Sequence, residues 1–202
     1  MPGGLSFAEL LRPHADGDAL ARLVRYADLV ERWSQRHNLV SWKGREELVQ
    51  RHLLDALAAR ELLAGRGVLL DVGSGAGLPG VPLLASRPEW RGVLLEPRQK
   101  RWAFLRLVVR ELELDATVER VRYQDFAGGG GPFDLITARA LGGHAELLKW
   151  ASGQLAPGGR IVLWSTEEDE AALRRLPGWH VLSSPLPSLA RGRLVQLLPC
   201  FT

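Results

Sequence analysis

The sequence predicts an α/β protein built on a mostly parallel sheet, with a helical extension in front of it. The chain has 202 residues, 46% of them hydrophobic and 24% charged, which are the proportions of one globular domain with a small appendage. After residue 65, short apolar runs of strand length alternate with helical stretches. Before it, the apolar pattern is helical throughout. We therefore expect residues 1–64 to form an extension packed on a core of residues 65–202.

Composition excludes several classes of protein. No apolar stretch approaches the roughly 20 residues that a membrane span needs, and the first residues lack the basic and apolar pattern of a signal peptide. The single cysteine, Cys200, offers no intramolecular disulfide and no Cys/His zinc cluster. We expect a cytoplasmic monomer that binds neither a membrane nor a metal. The net charge is +3, and all but three of the 26 basic residues are arginines, which pair well with phosphates.

Two apolar stripes define the helical extension. Asp16 or Asp18 is placed to cap the first helix. Its stripe has three- and four-residue steps and comprises Leu20, Leu23, Val24, Ala27, Val30 and Trp33. The second stripe comprises Leu48, Val49, His52, Leu53, Ala56 and Leu57. These stripes need an apolar partner, so we expect the helices to pack on the core that follows.

The remaining elements follow in strict alternation. Strands are predicted at 67–72, 92–96, 117–123, 133–138 and 160–164. Helices are predicted near 79–87, 98–113, 141–153 and 167–176. This order is typical of a parallel sheet with helices on its faces. Two further strands, 180–183 and 194–198, come after the last helix and indicate a hairpin at the sheet edge.

A glycine-rich loop connects the first strand to the first core helix. Gly73, Gly75 and Gly77 allow a sharp turn and let a ligand lie against bare main chain. The helix is expected to start at Pro79, with its free N–H groups and positive dipole end facing an anionic group. Asp71, just before the loop, either orients the loop or faces a ligand ammonium.

Further candidates follow the later strands. Glu96 ends the second strand, 19 residues after Gly77, which is the spacing of an acid that binds ribose hydroxyls. Tyr123 and Gln124 follow the third strand, where they are placed beside an adenine edge. Arg139 ends the fourth strand, at the edge where open α/β sheets bind ligands. A nucleoside-containing cofactor is indicated. S-adenosylmethionine can use both Asp71 and the loop amides, whereas a nicotinamide cofactor has no ammonium group.

Five segments together resemble one family, the bacterial small-subunit (16S) ribosomal RNA guanine-N7 methyltransferases (RsmG, also called GidB). The segments are Asn38-Leu39-Val40-Ser41, Arg51-His52-Leu53-Leu54-Asp55-Ala56, Asp71 to Pro82, Lys100-Arg101-Trp102-Ala103-Phe104-Leu105 and Thr137-Ala138-Arg139-Ala140. The resemblance covers residues 38 to about 198. It implies a class I S-adenosylmethionine-dependent methyltransferase fold, Rossmann-like, with a seven-stranded sheet and a reversed final strand. It also implies cofactor contacts at Gly73, Leu78, Tyr123, Gln124 and Arg139, with Glu96 matching the family's acid.

The implied substrate is N7 of a guanine in small-subunit rRNA, either free or in the 30S particle. N7 has an in-plane lone pair and no proton, so we assign no catalytic base. For RNA we expect contacts from Arg98, Lys100, Arg101 and Arg139. Trp102 and Phe104 are either base-stacking or core residues, with the core favoured. His52 and His144 are expected to be structural.

Two alternatives remain open on the sequence. The family usually has Lys-Gly after the fifth strand, where this chain has Trp164-Ser165-Thr166. That departure motivates a methyltransferase with another RNA or a small-molecule substrate. The glycine loop alone is also compatible with a nucleotide-binding protein that is not a methyltransferase.

Overall fold

The sheet of the computed structural model, which describes residues 4–35, 37 and 39–200, has seven strands in the order β3-β2-β1-β4-β5-β7-β6. Asn38, in the first family-like segment, lies outside the described residues. The strands are β1 (Gly67–Val72), β2 (Trp90–Leu95), β3 (Ala116–Glu119), β4 (Phe133–Arg139), β5 (Leu155–Thr166), β6 (Trp179–Pro185) and β7 (Gly192–Pro199). Strand β7 runs antiparallel to both β5 and β6. The predicted α/β class, mostly parallel sheet and reversed final strand are confirmed.

Helices cover both faces of the sheet, as the apolar strands require. In β1, Leu69 faces a hydrophobic cluster shared with helices α5 (Gly80–Ser86) and α6 (Gln99–Glu111). Its neighbour Leu70 faces the opposite cluster, shared with α7 (His144–Ser152) and α8 (Glu167–Leu173). Because adjacent side chains point to opposite faces, a strand buried on both sides reads as a continuous apolar run.

The chain before the sheet is helical. It contains α1 (Phe7–Leu11), α2 (Gly17–Ser34), α3 (Arg45–Leu48), a π-helical turn (Val49–Leu54), α4 (Asp55–Leu57) and a 3-10 turn (Arg60–Leu62). Periodicity missed α1, whose signal is the capping box between Ser6 and Glu9. Asp16 occupies the N-cap position of α2, but its side chain makes no capping hydrogen bond.

These N-terminal helices share the hydrophobic cluster of α5 and α6. Helix α2 packs on α5, and its Tyr26 is fully buried. The Tyr26 hydroxyl donates to the carbonyl of Ala76, 2.8 Å away in the glycine loop. On α4, the carbonyl of Asp55 accepts a hydrogen bond of 2.7 Å from the Trp164 indole of β5. Polar bonds thus reinforce the apolar contact between the helices and the sheet.

Neither a membrane-spanning helix nor a metal-binding cluster is found in the described part of the chain. No helix there is long and apolar enough to cross a bilayer. Nor does that part bring three or more His, Cys, Asp or Glu side chains together as a metal site.

Candidate functional site

A cavity of about 860 Å³ lies across the carboxyl ends of β1 to β4. Strand β1 lies between β2 and β4: the chain runs outward from β1 through β2 to β3 and then crosses back to β4, so the strand order reverses at this point. Ligands of open α/β sheets bind at such a crevice. The lining comprises Val40, His52, Val72, Gly73, Ser74, Gly75, Ala76, Leu78, Glu96, Pro97, Arg98, Arg101, Val121, Arg122, Tyr123, Gln124, Arg139, Ala140 and Leu141.

Two of the three loop glycines face this cavity. Gly73 and Gly75 have φ angles of +70° and +59°, a region that favours glycine, and both line the wall. Gly77 does not line it. A Cβ on Gly77 would lie 2.6 Å from Val81 Cγ2, so this glycine serves the close packing of the loop on α5. Gly77 therefore has a packing role in this structure, and the cofactor contact expected there stays a prediction.

Asp71 lies behind the glycine loop, outside the cavity lining. Its side chain is fully buried; Oδ1 accepts from the Thr137 hydroxyl at 2.7 Å and Oδ2 from the Gly80 N–H at 3.3 Å. Burial raises the pKa of the Asp71 carboxyl from 3.8 to about 6, and the Thr137 bond opposes that shift. Of the two roles expected for Asp71, the geometry favours orientation of the loop over contact with a ligand ammonium.

The start of α5 also differs from the expectation. The helix begins at Gly80, with Pro79 at the N-cap position. The Gly80 N–H donates to Asp71, and the Val81 N–H donates to the Gly77 carbonyl at 2.7 Å. Proline 82 has no N–H to offer. The first amides of α5 are therefore engaged within the protein, which corrects the expectation that they are free for an anionic group of a ligand.

Glu96 joins the loop to the end of β2. The residue is 3% exposed; Oε2 accepts from the Gly75 N–H at 2.9 Å and Oε1 from the Arg98 N–H at 2.8 Å. A carboxylate has about four lone-pair sites, so both oxygens keep capacity for a further donor such as a hydroxyl. Glu96 lines the cavity at the end of β2, where the sequence spacing predicts an acid, and its contact with a ribose stays a prediction.

Three further predicted residues reach the cavity. Leu78 lies in the glycine loop, and Tyr123 and Gln124 lie in the 3-10 turn (Tyr123–Asp125) after β3. Strand β3 ends at Glu119, before this turn, whereas the sequence predicts a strand that continues to residue 123. The Tyr123 ring packs edge-on against Trp150 with ring centres 5.1 Å apart, which holds it in place. Burial of this ring raises the pKa of the Tyr123 hydroxyl, so the group is a neutral donor and acceptor near neutral pH.

Arg139 connects the cavity to the N-terminal helices. Its Nη2 donates to the Arg51 carbonyl at 2.9 Å, and its Nη1 to the His52 carbonyl at 3.4 Å. Both carbonyls belong to the π-helical turn. The same Nη2 lies 3.4 Å from His52 Nδ1. Sequence analysis did not select His52 or Val40 as site residues, yet both line the cavity. The sequence feature that could have identified these two residues is their position inside two of the family-like segments.

The basic residues of α6 and its N-cap divide between cavity and surface. Arg98 and Arg101 line the cavity, whereas Lys100 is exposed on α6 outside the lining. Phe104 is fully buried, which confirms its core role. Trp102 is half-buried and its indole N–H donates to the Val118 carbonyl at 3.0 Å.

Ser165 is also outside the cavity lining. It is 9% exposed on β5, opposite Arg193 of β7, and no hydrogen-bond partner for its hydroxyl is found in the described residues. None of Trp164, Ser165 and Thr166 lines the cavity.

Comparison with known proteins agrees with this geometry. The sequence profile described as "rRNA small subunit methyltransferase G" (GidB) matches residues 19–181. A Methylococcus capsulatus protein named "Ribosomal RNA small subunit methyltransferase G" is 39% identical over 92% of both chains. A protein of the same name from Halorhodospira halophila is 37% identical over 95% of this chain and 92% of its own.

Solved structures share the fold at low sequence identity. A methyltransferase from Geobacter sulfurreducens has a TM-score of 0.64 and 16% identity, covering 92% of this chain and 89% of that one. A methyltransferase from Pyrococcus furiosus has a TM-score of 0.61 and 15% identity, covering 88% and 95%. These likenesses establish the class I methyltransferase fold. Given the profile match and the relatives that align along most of its length, the chain belongs to the rRNA small subunit methyltransferase G (GidB) family.

Proposed function

We propose that this protein transfers the methyl group of S-adenosylmethionine to N7 of a guanine in 16S ribosomal RNA. Membership of the family supports the reaction class and the rRNA substrate. The observation that carries the proposal is the cavity at the carboxyl edge of the sheet, which has bare glycine backbone on one wall and the Glu96 carboxylate on another.

The residues around the cavity fit the proposed cofactor. Glu96 has lone pairs for ribose hydroxyls, and Tyr123 and Gln124 supply an aromatic face and an amide for the adenine. Gly73 and Gly75 keep the loop wall free of side chains; a Cβ on Gly73 would lie 2.6 Å from Leu141 Cδ1. Leu78 and Arg139 complete the proposed cofactor contacts. When bound, S-adenosylmethionine supplies an electrophilic methyl group on a positively charged sulfur.

The task of the protein in such a transfer is orientation. The in-plane lone pair of guanine N7 carries no proton, so no residue has to act as a general base. The chain contributes by holding the two reactants in line, which replaces a bimolecular encounter by a prearranged one. Asp71, Tyr26 and Glu96 fix the glycine loop from three sides, and this makes the cofactor wall rigid.

RNA is proposed to approach over the N-terminal end of α6. Arg98, Lys100 and Arg101 lie there, and Arg139 lies across the cavity from them on β4. Arginine and lysine bind phosphates without reading sequence, so these residues would position the RNA and leave selection of the base to the cavity.

The deciding experiment maps the methyl group. Labelled S-adenosylmethionine is incubated with the protein and either naked 16S rRNA or 30S subunits that lack the modification, and nucleosides are analysed by mass spectrometry. N7-methylguanosine in one of the two substrates is the expected result. Its absence from both, with cofactor binding intact by calorimetry, would refute the proposal.

Glu96→Gln tests the cofactor assignment. Glutamine has one acceptor oxygen in place of two, and the Gly75 and Arg98 N–H groups that now donate to Glu96 compete with the ribose hydroxyls for it. The expected loss is about 1–3 kcal/mol, or about 5- to 150-fold in the Kd for S-adenosylhomocysteine. Glu89→Gln, at an exposed residue outside the cavity, is the matched control. Equal affinities for both variants would remove Glu96 from the site.

Arg139→Ala tests the cofactor and RNA contacts proposed for Arg139 on the opposite side of the cavity. We expect weaker cofactor or RNA binding in a folded protein, measured by calorimetry and by the methylation rate. The control is Arg175→Ala, which removes an exposed arginine after α8. A methylation rate unchanged by Arg139→Ala would contradict its assignment.

A further inference from the structure

The cavity has two ends along the sheet edge. Glu96 follows β2 and Gln124 follows β3, whereas Arg139 ends β4, with β1 between β2 and β4. Neighbouring strands are about 4.8 Å apart, so the β2 and β4 positions are separated by about 10 Å. The residues suited to adenosine all lie on the β2 and β3 side. We call the opposite part, formed by Val40, His52, Arg139 and Leu141, the β4 end.

The β4 end is built largely from outside the strand and helix repeat. Val40 and His52 come from the N-terminal region, and Leu141 follows β4. Two of these side chains are aliphatic and one is an aromatic ring, so the β4 end offers surfaces for a flat ring more than donors for a phosphate. The polar group among the four, Arg139, is turned partly toward main-chain carbonyls.

The hydrogen bonds determine the orientation of the His52 ring and which of its two nitrogens carries the proton. Nδ1 lies 3.4 Å from Arg139 Nη2, and because a guanidinium only donates, Nδ1 is the acceptor. The proton is therefore on Nε2, which lies 3.3 Å from the Ser41 carbonyl. Burial, then Arg139, lowers the pKa of His52, with Arg51 adding to this shift and Asp55 opposing it. The imidazole is neutral at neutral pH and is held at both nitrogens.

We propose that the β4 end is the subsite for the target guanine base and that the base stacks on the His52 ring. This inference rests on the proposed function. An enzyme that modifies a base has to remove it from its stack, and proteins hold such unstacked bases against Phe, Tyr, Trp or His rings. A neutral ring suits a purine that gains positive charge during transfer, since a charged imidazolium would repel it. Arg139 is the positioning residue that orients the ring.

Three variants test the stacking role in the methylation assay: His52→Ala, His52→Phe and, as control, His180→Ala on the exposed face of β6. Stacking of one base contributes about 1–3 kcal/mol. His52→Ala should therefore lower kcat/KM for the RNA by about 5- to 150-fold. His52→Phe keeps a ring and should recover most of this loss. The Kd for S-adenosylhomocysteine should change by less than about twofold in all three.

A second measurement uses the wild-type protein and needs no variant to fold. A 16S rRNA fragment with 6-thioguanosine at the methylated position is irradiated on the protein saturated with S-adenosylhomocysteine. The expected crosslink lies in one of three tryptic peptides, residues 37–43 with Val40, residues 52–60 with His52 or residues 140–149 with Leu141. Crosslinks confined to other peptides would overturn the subsite.

The possible failures are distinguishable. Normal RNA kinetics in His52→Ala overturn the inference, and so does a loss in His52→Phe as large as in His52→Ala. A Kd for S-adenosylhomocysteine that rises as much as kcat/KM falls would show that His52 acts on the cofactor side. A wild-type protein that binds S-adenosylhomocysteine but methylates no 16S rRNA refutes the proposed function instead.

Discussion

The difference in unfolding free energy between Asp71→Asn and wild type should favour the variant more at neutral pH than in acid. The folded carboxyl has a pKa of about 6, raised from 3.8 by burial. The folded state therefore binds more protons than the unfolded state between about pH 4 and pH 6, and the wild type loses stability as the pH rises through that window. A shift of this size corresponds to about 3 kcal/mol, since one pKa unit is about 1.4 kcal/mol.

Asparagine removes this ionisation and keeps the partners. Its amide oxygen can accept from the Gly80 N–H, and its NH₂ can donate to the Thr137 hydroxyl, whose own proton can then turn to the Leu70 carbonyl at 3.4 Å. The difference in unfolding free energy between Asp71→Asn and wild type should grow by about 2 kcal/mol from pH 4.5 to pH 7.5.

Urea unfolding at the two pH values measures that difference, because the midpoint and slope give the free energy in water. Asp115→Asn, which removes an exposed carboxyl, is the matched control. A difference for Asp71→Asn that is equal at pH 4.5 and 7.5, or smaller at 7.5, would refute the reasoning that burial of this carboxyl opposes its ionisation.

Two other predictions concern the same loop. Tyr26→Phe removes the donor to the buried Ala76 carbonyl and should lower the unfolding free energy by about 1–3 kcal/mol in urea unfolding; an unchanged midpoint would contradict a role for this bond. Gly80→Ala places a Cβ 2.7 Å from Asp71 Oδ2 and should cost about 1–3 kcal/mol as well as cofactor affinity. Gly129→Ala, with open space around its Cβ, should leave both quantities unchanged.

Local patterns were sufficient for the sheet but not for its helical cover. The strands from β1 to β5 are short apolar runs between helical periods, and these signals are contained within each segment. Helix α1 has only five residues, too few for periodicity to register. The sequence predicts ordinary helix over Val49–Leu54, because the wider π-helical turn is not visible in the spacing of the apolar stripe that includes it.

In the candidate site, too, a residue could be predicted only where a local sequence pattern encodes it. Glu96 was accessible to sequence analysis because loop and acid are a fixed distance apart along the chain. The spacing does not indicate which residues of the loop face the cavity, and neither Gly77 nor Asp71 lines it. The role of His52 depends on Arg139, which is 87 residues away, and no local pattern encodes that contact.

The bond between Arg139 and the π-helical turn also bears on how this protein tolerates change in length. Successive residues of a helix are rotated by about 100°, so deleting one residue from Val49–Leu54 would turn the Arg51 and His52 carbonyls away from the guanidinium. Deletion of a residue of this turn other than His52 would keep every residue of the cavity lining but would change their arrangement. Insertions and deletions in this segment, which lies outside the sheet and the glycine loop, are thus changes to the cavity itself.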